Sequence, residues 1–192
     1  MLTLGVNFQE RNAANDAAKL LDTSMRRFIM TWGLTEPAKR TERDLLQWAN
    51  DQISNSVPRQ IIWNYLLNWE NRKLSFEEQE SSMKVASHLL NVMVDRNLNG
   101  ITLEKQGEVD KAIALYEENI SDLFGGDHPY DRLRVIYSKQ KRFSEAIRVC
   151  RAFVKIADTL LQEGSQRSDL KPKREKFISW IKKLEKKPLG DT

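Results

Sequence analysis

Apolar residues recur with a helical period in nearly every segment of this chain, and polar or charged residues fill the positions between them. The first residues differ: Leu2, Leu4, Val6 and Phe8 alternate as in a short strand. With no second strand to pair with, an extended arm or a helix entry is the expected state. Ala17, Leu20, Leu21, Met25, Phe28 and Trp32 then share one helical face. Gly33 is placed to stop that helix, and Thr35 with Pro37 to start the next. The second helix carries Leu45, Leu46, Ala49 and Ile53 and should end near Asn55 and Ser56, just before Pro58.

The third predicted helix covers about residues 58–72. Ile62, Tyr65, Leu66 and Trp69 form one stripe, while Ile61, Trp63 and Leu67 occupy other sides. A helix apolar on most of its circumference is either central in a bundle or covered by a partner. Burial in the core is the favoured reading, because large exposed apolar patches are uncommon on monomers. Ser75 and Glu78 have capping-box spacing and should open a fourth helix with Met83, Val85, Ala86, Leu89, Leu90, Val92 and Met93. Asn97, Leu98, Asn99 and Gly100 weaken the helical pattern. A break or tight turn is expected there, with a boundary between residues 90 and 100.

Two later stretches echo each other. Residues 103–120 read LEKQGEVDKAIALYEENI, and residues 137–154 read YSKQKRFSEAIRVCRAFV. Lys105–Gln106 recurs as Lys139–Gln140, and Ala112–Ile113 as Ala146–Ile147, each pair 34 residues on. A fixed period of that length in a helical pattern points to stacked helical hairpins. Two antiparallel helices approach closely only where a small side chain faces the crossing, and Ala112 and Ala146 meet that need.

On these residues the chain resembles a pair of tetratricopeptide repeats, over about residues 93–126 and 127–160. In the first, Gly100 stands at the family's small position, Leu103 at the next core position, Gly107 at the turn, and Ala112 and Tyr116 at the crossing and one turn later. In the second, Tyr130, Leu133 and Tyr137 lie on the first helix, and Phe143, Ala146, Cys150 and Phe153 on the second. Arg134 replaces a usual small residue, Asn99 replaces a usual leucine, and Phe124-Gly125-Gly126 stands in for a closing proline. The resemblance implies an α-solenoid that binds protein through a groove lined by first helices: Asn97, Ile101, Lys105, His128, Arg132, Val135 and Lys139. His128 and Arg132 fall where some relatives clamp a peptide carboxylate, but Asn97 and Ile101 complete that clamp poorly. A solvated helix face is the plain alternative for each residue singly.

About three repeats are needed for a stable stack, so flanking helices must close the ends. Phe177, Trp180, Ile181 and Leu184 form a stripe suited to a closing helix, with Asp169 or Ser168 as its cap and Pro172 in its first turn. Charge is concentrated in the same place. Residues 171–187 carry eight Lys/Arg and two Glu, a net of +6 against +4 for the whole chain. The sequence pI near 9.1 therefore describes the tail rather than a broad basic face. The basic helix reads first as a cap with a solvated face, then as a contact for anionic lipid or nucleic-acid phosphate, then as a docking helix.

The rest of the composition narrows the class. A charged fraction of 30%, a mean hydropathy of -0.59 and no long apolar run fit a soluble protein without a membrane span. The N-terminus lacks the marks of a secretory signal, and one cysteine excludes an internal disulfide, so the cytoplasm is the expected compartment. His88, His128 and Cys150 form no zinc-type spacing, and no glycine loop is built to cradle phosphate. A Cys150–His128 nucleophile pair is outweighed by the packing position of Cys150.

The expectation is an all-α protein: an N-terminal helical region of about four helices over 1–92, two repeat hairpins over 93–160, and a linker with a basic capping helix over 161–192. Its expected function is a non-catalytic interaction module or adaptor for a peptide or helix, with no catalytic residues, metal or cofactor. The alternative is a nucleic-acid-associated regulator in which residues 36–72 form a helix-turn-helix and the repeats sense or dimerise. Lys39, Arg40, Arg43 and Arg59 favour it, and Glu36, Glu42, Asp44 and Asp51 oppose it.

Overall fold

The computed structural model describes residues 32–68, 74–162, 165 and 167–187. These residues form seven α-helices and no strand. They are α1 (Glu42–Ser54), α2 (Arg59–Leu67), α3 (Phe76–Lys105), α4 (Val109–Ser121), α5 (His128–Lys139), α6 (Phe143–Gln162) and α7 (Leu170–Leu184). The segments expected around Leu2–Phe8 and Ala17–Phe28, and Trp69 of the third stripe, lie outside the described residues. No helix among the described residues is long and apolar enough to cross a membrane. The chain divides into two compact units at Leu89–Leu90.

In the first unit, α1 opens at Glu42 rather than at Thr35–Pro37. Thr41 caps it, its hydroxyl accepting the Asp44 amide at 3.3 Å. Thr35 has another task. Its amide donates to Gln52 Oε1 (3.2 Å), its hydroxyl accepts from Gln52 Nε2 (2.9 Å), and its carbonyl accepts from Trp48 Nε1 (2.9 Å). Those bonds hold the preceding loop on α1, and they account for the burial of Gln52, a polar residue absent from the apolar stripe. Leu45 and Ala49 are fully buried. The helix ends at Asn55, followed by Ser56 in the left-handed region at φ 65°. On α2, Ile61, Ile62, Tyr65 and Leu66 are all buried, and the Trp48 and Tyr65 rings meet at 5.1 Å. These four share one broad face, while Trp63 and Leu67 on the other sides are only half-buried, so the helix is buried on that face rather than all round.

The capping box forms as its spacing predicts. The Ser75 amide donates to Glu78 Oε2 at 2.8 Å, and the Glu78 amide to Ser75 Oγ at 3.3 Å. These bonds hold the Glu78 carboxyl below the usual carboxylate range. The expected break at 97–100 does not occur, because α3 runs unbroken for 30 residues through all four positions. Gly100 serves packing instead. A Cβ there would lie 2.5 Å from Tyr116 Cε1, so only glycine admits the fully buried Tyr116 ring. Propensity is a weak local prior, and tertiary contact overrides it here.

In the second unit the helices follow one another as neighbours. The end of α3 pairs antiparallel with α4, since Asn119 reaches back to Met93 and Asn97 while Tyr116 reaches Gly100 and Glu104. Each of α5, α6 and α7 packs against the helix before it. The core is continuous from Ala112 and Tyr116 through Tyr130, Leu133, Ala146 and Phe153 to Phe177 and Leu184.

The turns within the two hairpins are alike. Gly107 sits at φ 80° and Lys141 at φ 59°. The Glu108 amide bonds the Leu103 carbonyl at 2.9 Å, and the Arg142 amide bonds the Tyr137 carbonyl at 2.8 Å. Gly107 to Glu104 (3.1 Å) is matched by Lys141 to Ser138 (3.2 Å). Each bond thus has a counterpart 34 residues on. A left-handed residue just past a helix lets the next amides satisfy the last free carbonyls.

The helix α7 buries Phe177 and Leu184, and also Leu170, which the sequence stripe omits. Phe177 lies 4.3 Å from the Phe153 ring and 4.8 Å from Trp180. Pro172 is in the first turn, but Asp169, at the cap position, makes no side-chain cap bond. Its carboxylate pairs with Arg167 at 3.1 Å and Lys173 at 2.9 Å instead. Arg134, the departure from a small residue, places its guanidinium 3.7 Å over the Trp180 ring and pairs with Asp131. The large residue is thereby used to hold α7.

Candidate binding face on the first helices

Of the seven groove residues expected from sequence, three lie on α3 and four on α5. The two helices meet directly at Glu104 and Arg132. Arg132 Nε donates to Glu104 Oε1 at 2.9 Å, and Nη2 donates to Oε2, a two-point ion pair. Tyr116, on α4, donates its hydroxyl to the same Oε1 at 2.8 Å. The Arg132 bonds hold the Glu104 carboxyl below its usual range. Burial, reinforced by Glu104, pushes the Tyr116 hydroxyl well above the usual phenol range.

His128 stands beside this cluster, its ring edge-on to Tyr116 at 5.8 Å. Its Nε2 is buried with no hydrogen-bond partner among the described residues. Burial first, and the Arg132 charge second, lower its pKa from 6.5. The histidine is therefore disposed to stay neutral, and the arginine is committed to an internal carboxylate. That arrangement removes both from the role of free cations for a peptide carboxylate.

Asn97 is taken into the hairpin. It is 8% exposed, and its Oδ1 accepts from Asn119 Nδ2 at 3.0 Å. The same Nδ2 donates to the Met93 carbonyl at 2.8 Å. Close by, Arg96 bonds Glu118 at 2.9 Å and also pairs with Asp122. The remaining four residues are accessible and fall in two matched pairs. Ile101 and Val135 are half-buried, 34 positions apart, and Lys105 and Lys139 are exposed at the same interval. Neither lysine makes an ion pair among the described residues. The face thus offers two apolar contacts followed, one helical turn on, by two free ammonium groups.

Glu104 and Tyr116 are the residues that sequence reasoning did not place at this face. Glu104 is 28 residues from Arg132, and no local spacing signals their meeting. A second polar cluster lies where α4, α5 and α6 come together: Tyr137 donates to Glu117 Oε1 at 2.6 Å, and Arg148 bridges Glu117 and Glu145. Cys150 is fully buried, and burial pushes its thiol up to about 12. A thiol held protonated is a weak nucleophile. No cluster of His, Cys, Asp or Glu suited to a metal ion occurs among the described residues. Compared with protein-family models, curated proteins and solved structures, the chain matches none.

Proposed function

We propose that this chain is a non-catalytic interaction module of the tetratricopeptide-like class, holding a partner peptide or helix against the first helices α3 and α5. The observation that carries the reading is the recurrence of one hairpin turn at a 34-residue interval, in φ, in hydrogen bonds and in the buried alanines Ala112 and Ala146. In this reading α7 closes the stack, since two hairpins alone leave an apolar end uncovered. Binding rests on the Ile101/Val135 and Lys105/Lys139 pairs, whose equal spacing presents the same contact twice.

The test is affinity capture with the full chain against a Lys105→Glu/Lys139→Glu variant. Both lysines are exposed and unpaired among the described residues, so the fold should survive, as circular dichroism checks. Arg132 is left intact, because reversing it would strand the Glu104 carboxylate. The expected result is partners captured by the parent chain and lost by the variant. Retention of the same partners would show that this face is not the binding surface.

A further inference from the structure

The basic helix α7 separates into two kinds of cation. Lys173 is committed to Asp127 and Asp169, at 2.8 and 2.9 Å, and Arg174 to Asp158. Lys171, Lys176, Lys182 and Lys183 on the helix, and Lys186 and Lys187 just after it, are exposed and make no ion pair among the described residues, although the Lys176 ammonium lies 4.8 Å from the Trp180 ring centroid. At about 100° per residue, Lys171 and Lys182 lie on one edge of the exposed arc and Lys176 and Lys183 on the other, roughly 120° away. Pro172, Ser179 and Glu175 lie between the two rows. Glu175 is the exposed acid within the arc, while Glu185 is engaged by Arg151 at 2.8 Å.

We infer that α7 is a contact helix for the phosphate backbones of duplex DNA. A major groove about 12 Å wide admits a helix 10–12 Å across and places a phosphate strand along each side of it. The two lysine rows match that geometry; between them stand Pro172, Ser179 and one acid, Glu175. Lysine is a point charge without a fixed fork, so the contact positions the duplex and reads no sequence. A bilayer is the poorer fit. An interfacial helix needs an apolar face to insert, and five of the six apolar residues of α7 (Leu170, Phe177, Leu184, with Trp180 and Ile181) are packed on the protein core, leaving only the half-buried Ile178. None of the exposed large apolar side chains among the described residues lies on α7.

The inference is independent of the α3–α5 binding face. It is tested with the full chain and a labelled mixed-sequence DNA duplex of about 20 base pairs, by fluorescence anisotropy at several salt concentrations. If four lysines each meet a phosphate, affinity falls about 150-fold between about 50 and 200 mM salt, at a slope of about −0.9 per contact. Lys182→Glu/Lys183→Glu takes one lysine from each row and should lower the slope by about 1.8 and weaken binding at least about tenfold at low salt. Lys171→Gln/Lys176→Gln should lower the slope similarly without reversing a charge. Lys39→Glu/Arg43→Glu, which reverses two exposed cations far along the chain, should leave duplex binding unchanged. The inference is overturned by absence of duplex binding at 50 mM salt, by binding that the α7 variants leave intact, or by binding to phosphatidylserine vesicles without binding to the duplex.

Discussion

Replacing Gly100 by alanine tests whether packing or propensity governs the long helix α3. In an exposed helix interior this change stabilises by about 1 kcal/mol, since glycine has the larger backbone entropy to lose. Here the new Cβ would stand 2.5 Å from Tyr116 Cε1 and 2.7 Å from Cζ. The ring has little room to retreat: Tyr116 is fully buried, its hydroxyl is held by Glu104 at 2.8 Å, and the His128 ring stands edge-on to it at 5.8 Å. Overpacking a tight core costs about 1–3 kcal/mol, so the net effect should be a loss of up to about 2 kcal/mol. In a Tyr116→Leu background the obstruction is gone, and the same Gly100→Ala change should gain about 1 kcal/mol. The four proteins form a double-mutant cycle, read by urea or thermal denaturation with circular dichroism. At this chain length 1 kcal/mol corresponds to a midpoint shift of about 2–4 °C. An equal gain from Gly100→Ala in both backgrounds would refute the packing argument and return Gly100 to the role of a mere weak point in the helix.

Three further outcomes are expected. Lys141→Gly should stabilise by about 0.5–1 kcal/mol, because the φ of 59° strains any residue with a Cβ, whereas Gly107→Ala should destabilise by a similar amount; equal signs in denaturation would contradict the shared turn geometry. Stability should decline with acid in two stages. The folded pKa of His128 is depressed, so the unfolded chain takes up the proton first and stability is lost as pH falls below 6.5. Glu104 is also depressed, so its contribution is present above 4.5 and lost as pH falls through its lower folded value. Denaturation midpoints of His128→Gln should lack the first stage alone. Cys150 should resist a thiol reagent at pH 8 in the native state and react on unfolding, since burial holds it as a thiol; rapid native labelling counts against this core packing.

Features whose cause lies within a few residues were legible in the sequence. The Ser75–Glu78 capping box, the end of α1 at Asn55–Ser56 and the apolar stripe of α7 each depend on groups one or two turns apart. Such contacts are set by helix geometry, which spacing alone encodes. The start of α1 was less legible, because Thr35 and Thr41 are both plausible caps by type. Only the bonds from Trp48 and Gln52 decide which threonine is used elsewhere.

Tertiary structure decided the rest. Asn97, Asn99 and Gly100 look like a break, yet they sit in an unbroken helix because Asn119 and Tyr116 on α4 pack against Asn97 and Gly100. Arg132 looks like a free cation until Glu104, 28 residues away, takes two of its donors. Arg134 looks like a flaw in a repeat until Trp180 of α7 lies beneath it. The six basic residues of α7 itself, which the sequence counts alike, divide only when Asp127 and Asp158 arrive to claim Lys173 and Arg174. In every case the deciding partner is distant in the chain. The sequence by itself determines where helices can form and which faces must be buried; only folding determines which charges remain free to meet another molecule, because that depends on neighbours brought together by packing rather than by spacing.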